Sequence, residues 1–242
     1  MTGNAELSGQ TVLVIGGSSG IGLETARRAR AEGAGLILTA RNADRLHRVG
    51  LELGAQIATF DAADLDRVAM FFGELSSSVD HVVVSGPGAC FAPAEPAADP
   101  TEVDVIAYDL FAAHVARSAA AVIRSGGTLV FFGTTTEGQL SANRESTSAL
   151  STATKVLALE LAPIRVNLIA TGFIETARST RALGDQLAAR RERLRATLPI
   201  RRTVTAGDVA ALAVHLMING AVTGATFDID GGQQLIEAPH LQ

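Results

Sequence analysis

Short apolar runs alternate with longer amphipathic segments along the whole chain. The apolar runs have strand length and contain few polar residues, which is typical of a parallel sheet covered on both faces. They predict seven strands, at Thr11–Ile15, Gly35–Thr39, Gln56–Phe60, His81–Ser85, Thr128–Phe132, Arg165–Ala170 and Ala225–Ile229. Because helical segments separate these strands, we predict an α/β fold, a doubly wound seven-stranded parallel sheet with helices on both faces.

The segments between the strands have the spacing of amphipathic helices. They predict helices at Leu23–Glu32, Ala43–Leu53, Leu65–Ser76, Thr101–Ile123 and roughly Ser146–Ala162. No linker rich in proline or serine, no block of like charge and no internal repeat divides the sequence. Residues 1–242 are therefore predicted to form a single domain.

The amino-acid composition indicates the type of hydrophobic core and disfavours some classes of binding partner. Hydrophobic residues make up 47% of the 242 residues and aromatic residues only 4%, so we expect an aliphatic core. The formal net charge of −5 disfavours a nucleic-acid partner, because phosphate binding needs a basic surface. One cysteine and five histidines without metal-ligand spacing predict neither a disulfide nor a metal site. Because no apolar run has membrane-spanning length and no leader pattern is present, we expect a cytoplasmic protein without a membrane partner.

A glycine-rich turn links the first strand to the first helix. Gly16 can make the tight turn, Gly20 lets the backbone approach a diphosphate, and Gly22 lets the helix pack closely on the strand. The amide groups at the helix N-terminus would then point at the phosphates of a dinucleotide. A purely structural turn is the alternative. The predicted cofactor-binding residues of this turn are Gly16, Ser18, Ser19, Gly20, Ile21 and Gly22.

The end of the second strand bears on the choice between NAD and NADP. An Asp or Glu there would bind a free ribose 2′-hydroxyl, whereas this strand runs into Arg41 and Asn42. A guanidinium suits a 2′-phosphate because it makes charge-assisted, forked contacts. We therefore predict NADP in preference to NAD, with Arg41 and Asn42 among the cofactor-binding residues. An arginine that is merely solvated in a loop is the alternative.

These motifs resemble the short-chain dehydrogenase/reductase family over nearly the whole chain. Residues 11–22 resemble its opening strand and turn, residues 164–176 its sixth strand and nicotinamide loop, and residues 198–232 its C-terminal helix, strand and closing turn. The resemblance implies a single Rossmann-type domain that binds a nicotinamide dinucleotide. It also implies further cofactor-binding residues, namely Asp61 at the adenine, Ser85 and Gly86 after the fourth strand, and Gly172, Ile174 and Thr176 at the nicotinamide.

The catalytic pair of that family is missing. The family uses a tyrosine with a lysine four residues later, but the only tyrosine here, Tyr108, lies in the segment of the fourth helix. Ser151 and Lys155 keep the four-residue spacing with serine in place of tyrosine. In that alignment, however, only about 12 Å of helix would follow Lys155. A return that short cannot run back along a strand of about 17–20 Å.

An alignment anchored on residues 157–163 avoids that difficulty. It places Asn143 at the tyrosine position, Thr134 near the serine position and Asp109 at the asparagine position, and it leaves Lys155 exposed on its helix. These three residues are the candidate catalytic residues by position. An asparagine amide donates a hydrogen bond but transfers no proton at neutral pH, so the sequence identifies no proton donor.

Functions of different classes follow from these patterns. The first is an NADP-dependent oxidoreductase that transfers a hydride between nicotinamide and a small carbonyl or alcohol substrate, beneath a lid at residues 177–197. The second is a catalytically inactive dinucleotide-binding protein, a sensor or a structural partner, and a non-redox lyase or isomerase is a third. The resemblance implies a homo-tetramer or dimer that pairs through the two long helices. The lid arginines are expected to form one solvated helix face: Arg190, Arg191, Arg193 and Arg195.

Overall fold

The computed structural model describes residues 5–85, 102–134 and 142–237. It contains a seven-stranded parallel sheet with the strand order β3-β2-β1-β4-β5-β6-β9, which confirms the predicted fold. A separate two-stranded sheet, β7-β8, was not predicted because each of its strands has only two residues. The strands are β1 Thr11–Ile15, β2 Gly35–Ala40, β3 Gln56–Thr59, β4 Val79–Val84, β5 Ile123–Thr134, β6 Arg165–Thr171, β7 Ile174–Glu175, β8 Val204–Thr205 and β9 Thr226–Ile229.

Helices cover both faces of the large sheet. One face packs against α3, α4 and α5, and the other against α1, α2 and α8. Alternate residues of β1 enter the two apolar layers, since Leu13 and Ile15 lie on the first face and Val12 and Val14 on the second. The helices are α1 Gly20–Ala31, α2 Ala43–Leu53, α3 Leu65–Glu74, α4 Glu102–Ala120, α5 Ala142–Glu160, α6 Ala177–Leu183, α7 Gln186–Thr197, α8 Ala206–Ile218 and α9 Gln233–Glu237.

The strand order reverses between β1 and β4. The chain proceeds outward from β1 through β2 to β3, then crosses back to β4 and proceeds in the other direction. In open parallel sheets the crevice at such a reversal, at the carboxyl ends of the strands, is where ligands bind. This places the glycine-rich turn, which follows β1, at the mouth of the crevice.

The largest boundary error concerns the junction of α4 and β5. The sequence predicts a helix up to Ile123, but Ile123 already pairs with Val79 of β4, and the register between the two strands shifts before His81 pairs with Thr128. At the shift, a Cβ on Gly127 would overlap the Asp80 carbonyl oxygen, and Gly126 has φ +80°. No predicted element included residues 124–127, whereas their glycines allow a close approach between two strands.

A buried arginine caps the C-terminal end of α8. Arg165, at the start of β6, donates from Nη1 to the Leu216 carbonyl oxygen at 2.7 Å and from Nη2 to that of Met217 at 2.8 Å. Nη1 also lies 3.0 Å from the carbonyl oxygen of Asn219. The last carbonyl groups of a helix have no intrahelical partner and carry partial negative charge. The guanidinium supplies both hydrogen-bond donors and a positive charge to these groups.

A buried histidine lies in the same region. His81, at the amino end of β4, is only 3% exposed, and its Nε2 lies 2.6 Å from Oε1 of Gln10. Burial lowers the pKa of the imidazole to about 4; the Asp80 carboxylate opposes this shift to a smaller extent, and the Arg165 charge adds the smallest effect, in the direction of burial. His81 is therefore neutral at pH 7.

No helix within residues 5–85, 102–134 and 142–237 combines the length and the apolar character that a membrane crossing requires.

Candidate functional site

The glycine-rich turn is held against β2 by two backbone hydrogen bonds. The amides of Gly16 and Gly17 donate to the Thr39 carbonyl oxygen at 2.9 and 3.0 Å. Gly16 has φ +88° and Gly20 has φ +56°, backbone conformations that favour glycine. Helix α1 begins at Gly20, three residues earlier than predicted, so the turn and the first helical turn share residues.

The N-terminus of α1 is open to an anion. Within the described part of the chain, the Ser19 side chain makes no capping hydrogen bond, and the first turn of α1 contains no acidic residue. The first amides of a helix need acceptors, and the helix dipole favours negative charge there. These groups can therefore bind phosphate oxygens.

Gly22 brings α1 into close contact with the turn and with β4. A Cβ at this position would overlap the Gly16 carbonyl oxygen and would lie 3.1 Å from the Cβ of Ser85. Ser85 follows β4 directly, and its amide donates to the Ile15 carbonyl oxygen at 2.8 Å. The turn, the helix and the end of β4 thus form one compact unit. Gly86, the next cofactor residue that the resemblance implies, lies outside the described residues.

A cation and two polar side chains follow β2 and β3. Asn42 caps α2, since its Oδ1 accepts a hydrogen bond from the Arg45 amide at 2.8 Å. Arg41 is exposed, and its Nη1 lies 3.7 Å from Oδ2 of Asp61. Asp61 Oδ1 also accepts a hydrogen bond from the Ala63 amide at 3.0 Å. Arg41 and Asp61 therefore lie side by side, and both were predicted to bind the adenosine end of a dinucleotide.

The loop after β6 forms the opposite border of the crevice. A Cβ on Gly20 would lie 3.5 Å from Cγ2 of Thr176, so this loop reaches the glycine-rich turn. Gly172 packs so closely on the segment after β9 that its Cβ would lie 2.8 Å from the Cβ of Asp230. Ile174 is buried, and Thr176 caps α6 in a reciprocal arrangement with Ser179. The predicted nicotinamide-side residues thus lie in a well-packed loop.

Two lid arginines contact this loop, which corrects one prediction. Arg191 of α7 donates from Nε to Oε2 of Glu175 at 2.8 Å, and this hydrogen bond lowers the pKa of the Glu175 carboxyl. The Arg190 guanidinium lies 5.8 Å from the centre of the Phe173 ring. The prediction that Arg190 and Arg191 lie on a solvated helix face was therefore wrong, because their partners lie more than a dozen residues earlier in the sequence. Arg193 and Arg195 are exposed as predicted.

The three candidate catalytic residues lie on three different elements. Asp109 belongs to α4, Thr134 is the last residue of β5, and Asn143 lies in the first turn of α5. Helix α5 begins four residues earlier than predicted, at Ala142, so Asn143 is helical. The side chains of these three residues, and that of Tyr108, lie outside the part that the structure describes.

The rejected serine–lysine pair faces away from the crevice. Ser151 Oγ lies 2.8 Å from Thr226 Oγ1, at the beginning of β9. Lys155 is exposed, as predicted, whereas Leu150 and Leu157 of the same helix are buried. Neither Ser151 nor Lys155 is therefore placed to meet a substrate at the carboxyl ends of the strands.

Comparison with known proteins identifies the family to which the chain belongs. The family model for enoyl-(acyl carrier protein) reductase matches residues 15–234. Galactitol 2-dehydrogenase (L-tagatose-forming) from Cereibacter sphaeroides is 33% identical, over 93% of this chain and 95% of its own length. The cyclic-di-GMP-binding biofilm dispersal mediator protein of Escherichia coli (strain K12) is 31% identical, over 93% of this chain and 97% of its own.

A solved structure also matches nearly the whole chain. The crystal structure of BdcA in complex with NADPH has a TM-score of 0.78 at 27% sequence identity, and the match covers 98% of this chain and 99% of that one. The family model spans most of the sequence, and a relative more than 30% identical covers nearly all of it. The chain therefore belongs to the short-chain dehydrogenase/reductase family.

Proposed function

We propose that the protein is an NADP-dependent oxidoreductase that transfers a hydride between the nicotinamide and a small carbonyl or alcohol substrate. The observation that carries this proposal is the uncapped N-terminus of α1 behind a turn in which Gly16 and Gly20 have positive φ. Family membership and the similarity to a protein solved with NADPH support it. The residues proposed to bind the cofactor are Gly16, Ser18, Ser19, Gly20, Ile21, Gly22, Arg41, Asn42, Asp61, Ser85, Gly86, Gly172, Ile174 and Thr176.

The preference for NADP rests on Arg41. Its guanidinium is exposed at the end of β2 and is only 3.7 Å from the Asp61 carboxylate, a separation at which a surface ion pair contributes little. A ribose 2′-phosphate would therefore compete successfully with Asp61 for this cation. Asp61 would then accept a hydrogen bond from the adenosine end.

Titration of the protein with NADPH and with NADH tests the proposal. We expect Arg41→Ala to weaken NADPH binding about tenfold, or about 1.4 kcal/mol, and to leave NADH binding unchanged. Arg48→Ala is the matched control, because it removes the same charge from the exposed side of α2. If the wild-type protein binds neither coenzyme at millimolar concentration, the proposed function is wrong. Equal losses for both coenzymes would reject the role of Arg41.

Replacement of Gly22 by alanine tests the glycine-rich turn itself. The added Cβ overlaps the Gly16 carbonyl oxygen, so α1 must shift away from the turn and its amides must leave the phosphates. We expect NADPH binding to weaken roughly 30-fold, or about 2 kcal/mol, measured by calorimetry. Gly73→Ala in α3 is the control, since no atom lies within 4 Å of its added Cβ. An unchanged affinity in Gly22→Ala would exclude this turn as the diphosphate site.

The residues that would act on the substrate are Thr134, Asn143 and Asp109. We propose that Thr134 and Asn143 orient the substrate oxygen and that Asp109 acts as a general acid. A replacement for the family's tyrosine is needed because the only tyrosine of the chain lies in α4. Oxidation of NADPH by a panel of small carbonyl compounds measures turnover. Asp109→Asn should then reduce kcat at least tenfold, whereas Asp66→Asn, at an exposed position of α3, should not.

A second candidate function is dinucleotide binding without turnover. The single tyrosine favours it, because the usual proton donor of the family is missing. Tight NADPH binding without oxidation across the whole carbonyl panel would support this function, and turnover well above background would reject it.

The oligomeric state is part of the proposal. Leu110 of α4 and Val156 and Leu159 of α5 are exposed, and Leu159 retains 84% of its surface. Exposed apolar side chains on neighbouring helices favour pairing between two copies of the chain. We expect light scattering at micromolar concentration to give a dimer or tetramer, and Leu159→Glu to shift the population towards the monomer. A wild-type monomer at this concentration would contradict the expected assembly.

A further inference from the structure

Three buried polar residues form a row across the middle of the sheet. His81 of β4 pairs in register with Thr128 of β5, which pairs in register with Arg165 of β6. Register partners on neighbouring parallel strands project to the same face. Val83 and Val130, two residues further along β4 and β5, lie in the apolar layer beneath α1 and α8, so the row faces that layer near the amino ends of the strands.

Each member of the row carries a buried polar atom without a hydrogen-bond partner among the described residues. These atoms are Nδ1 of His81, Oγ1 of Thr128 and Nε of Arg165. The three side chains are 3%, 0% and 8% exposed. An unsatisfied buried polar atom is costly, and three in adjacent register positions point to one shared cause.

The proton positions on His81 follow from its neighbour. Gln10 Nε2 donates to the Glu6 carbonyl oxygen at 3.3 Å, which fixes Gln10 Oε1 as the atom that faces His81. Because a carbonyl oxygen only accepts, His81 Nε2 carries the hydrogen and donates it. The neutral ring therefore presents Nδ1 as a bare acceptor.

The other two atoms have complementary roles. Arg165 uses Nη1 and Nη2 on the carbonyl groups at the end of α8, which leaves the Nε hydrogen as a donor. The Thr128 hydroxyl lies between the two neighbours and can both donate and accept. Adjacent strands are about 4.8 Å apart, so a water with hydrogen bonds of about 2.8 Å can bridge polar atoms on neighbouring strands of the row. His81 and Arg165 start two strands apart, and their side chains lie near each other, since the Arg165 charge acts on the His81 imidazole.

We propose that the row His81–Thr128–Arg165 is a binding site for one internal water molecule. The water accepts the hydrogen from Arg165 Nε, donates one hydrogen to His81 Nδ1, and makes its third hydrogen bond with Thr128 Oγ1. Three polar partners are the usual number for a buried water. The water thereby links the β4, β5 and β6 strands to the capped end of α8.

A crystal structure of the wild-type protein at high resolution tests the site directly. The expected result is one ordered water within about 3.2 Å of all three atoms. Direct hydrogen bonds among the three side chains, or a row without a water between them, would overturn the proposal. This outcome does not depend on cofactor binding, so it stands apart from the proposed oxidoreductase function.

A variant pair tests the site in solution. Thr128→Val removes the hydroxyl at nearly constant volume, and we expect it to abolish one long-lived internal water in oxygen-17 relaxation dispersion. Thr154→Val is the matched control, because the buried Thr154 hydroxyl donates to the Leu150 carbonyl oxygen of its own helix at 2.8 Å. This variant should keep the water. Equal numbers of long-lived waters in wild type and Thr128→Val would reject the site, and if Thr128→Val does not fold, the wild-type crystal structure decides.

Discussion

The Arg165→Met variant should have a free energy of unfolding about 4 kcal/mol lower than the wild type. Its Nη1 and Nη2 make hydrogen bonds of 2.7 and 2.8 Å with two carbonyl groups in the last turn of α8. Charge-assisted bonds of this kind contribute about 1.5–3 kcal/mol each. Methionine retains much of the apolar stem but leaves those carbonyl groups without a donor. Chemical denaturation in urea measures the change.

A second arginine that contacts the same helix provides the control for this result. Arg202 pairs with Asp208 at the N-terminal end of α8, and its side chain is more than half exposed. Because surface ion pairs contribute about 0–1 kcal/mol, Arg202→Met should have little effect. Similar losses in the two variants would mean that Arg165 does not cap the helix in the way described.

Acidification should destabilise the protein through His81 by about 3 kcal/mol. The pKa is about 4 in the folded state and about 6.5 in an unfolded chain, so the unfolded state binds the proton more tightly. The stability that depends on a neutral His81 is complete above pH 6.5 and is lost as the pH falls from 6.5 to 4. The free energy of unfolding, measured by denaturation at several pH values, should therefore fall across this window.

Two variants separate this effect from the titration of carboxylates. His81→Gln should remove most of the slope between pH 6.5 and 4, because no imidazole remains to be protonated there. His47→Gln, on the exposed side of α2, should keep the wild-type slope. An unchanged slope in His81→Gln would assign the acid sensitivity to other groups.

The sequence was sufficient to predict elements whose ends carry local signals. Helix α2 was predicted correctly at Ala43–Leu53, because Asn42 caps its first turn and Gly54 ends it in a left-handed conformation with φ +59°. Strand β1 was also predicted correctly, since its apolar run ends at Gly16. Such signals act within a few residues and are visible in the sequence itself.

The sequence was insufficient where a partner lies far along the chain. Arg165 appeared only as the first residue of a strand, while its acceptors lie 51 and more residues later. Arg190 and Arg191 appeared solvated because Phe173 and Glu175 belong to another segment. At the candidate site, the glycine-rich turn is visible in the sequence. The arrangement of the candidate catalytic residues instead depends on how α4, β5 and α5 meet in space.

The row of His81, Thr128 and Arg165 and the glycine-rich turn lie at opposite ends of the sheet. Along β5, six residues separate Thr128 from Thr134, which corresponds to about 20 Å of strand. Perturbations so far apart usually add independently. A coenzyme at a hundred times its dissociation constant would then add about 2.7 kcal/mol by mass action to the wild type and to Arg165→Met alike. Coenzyme binding could thus restore a large part of the stability that a defect at the other end of the sheet removes.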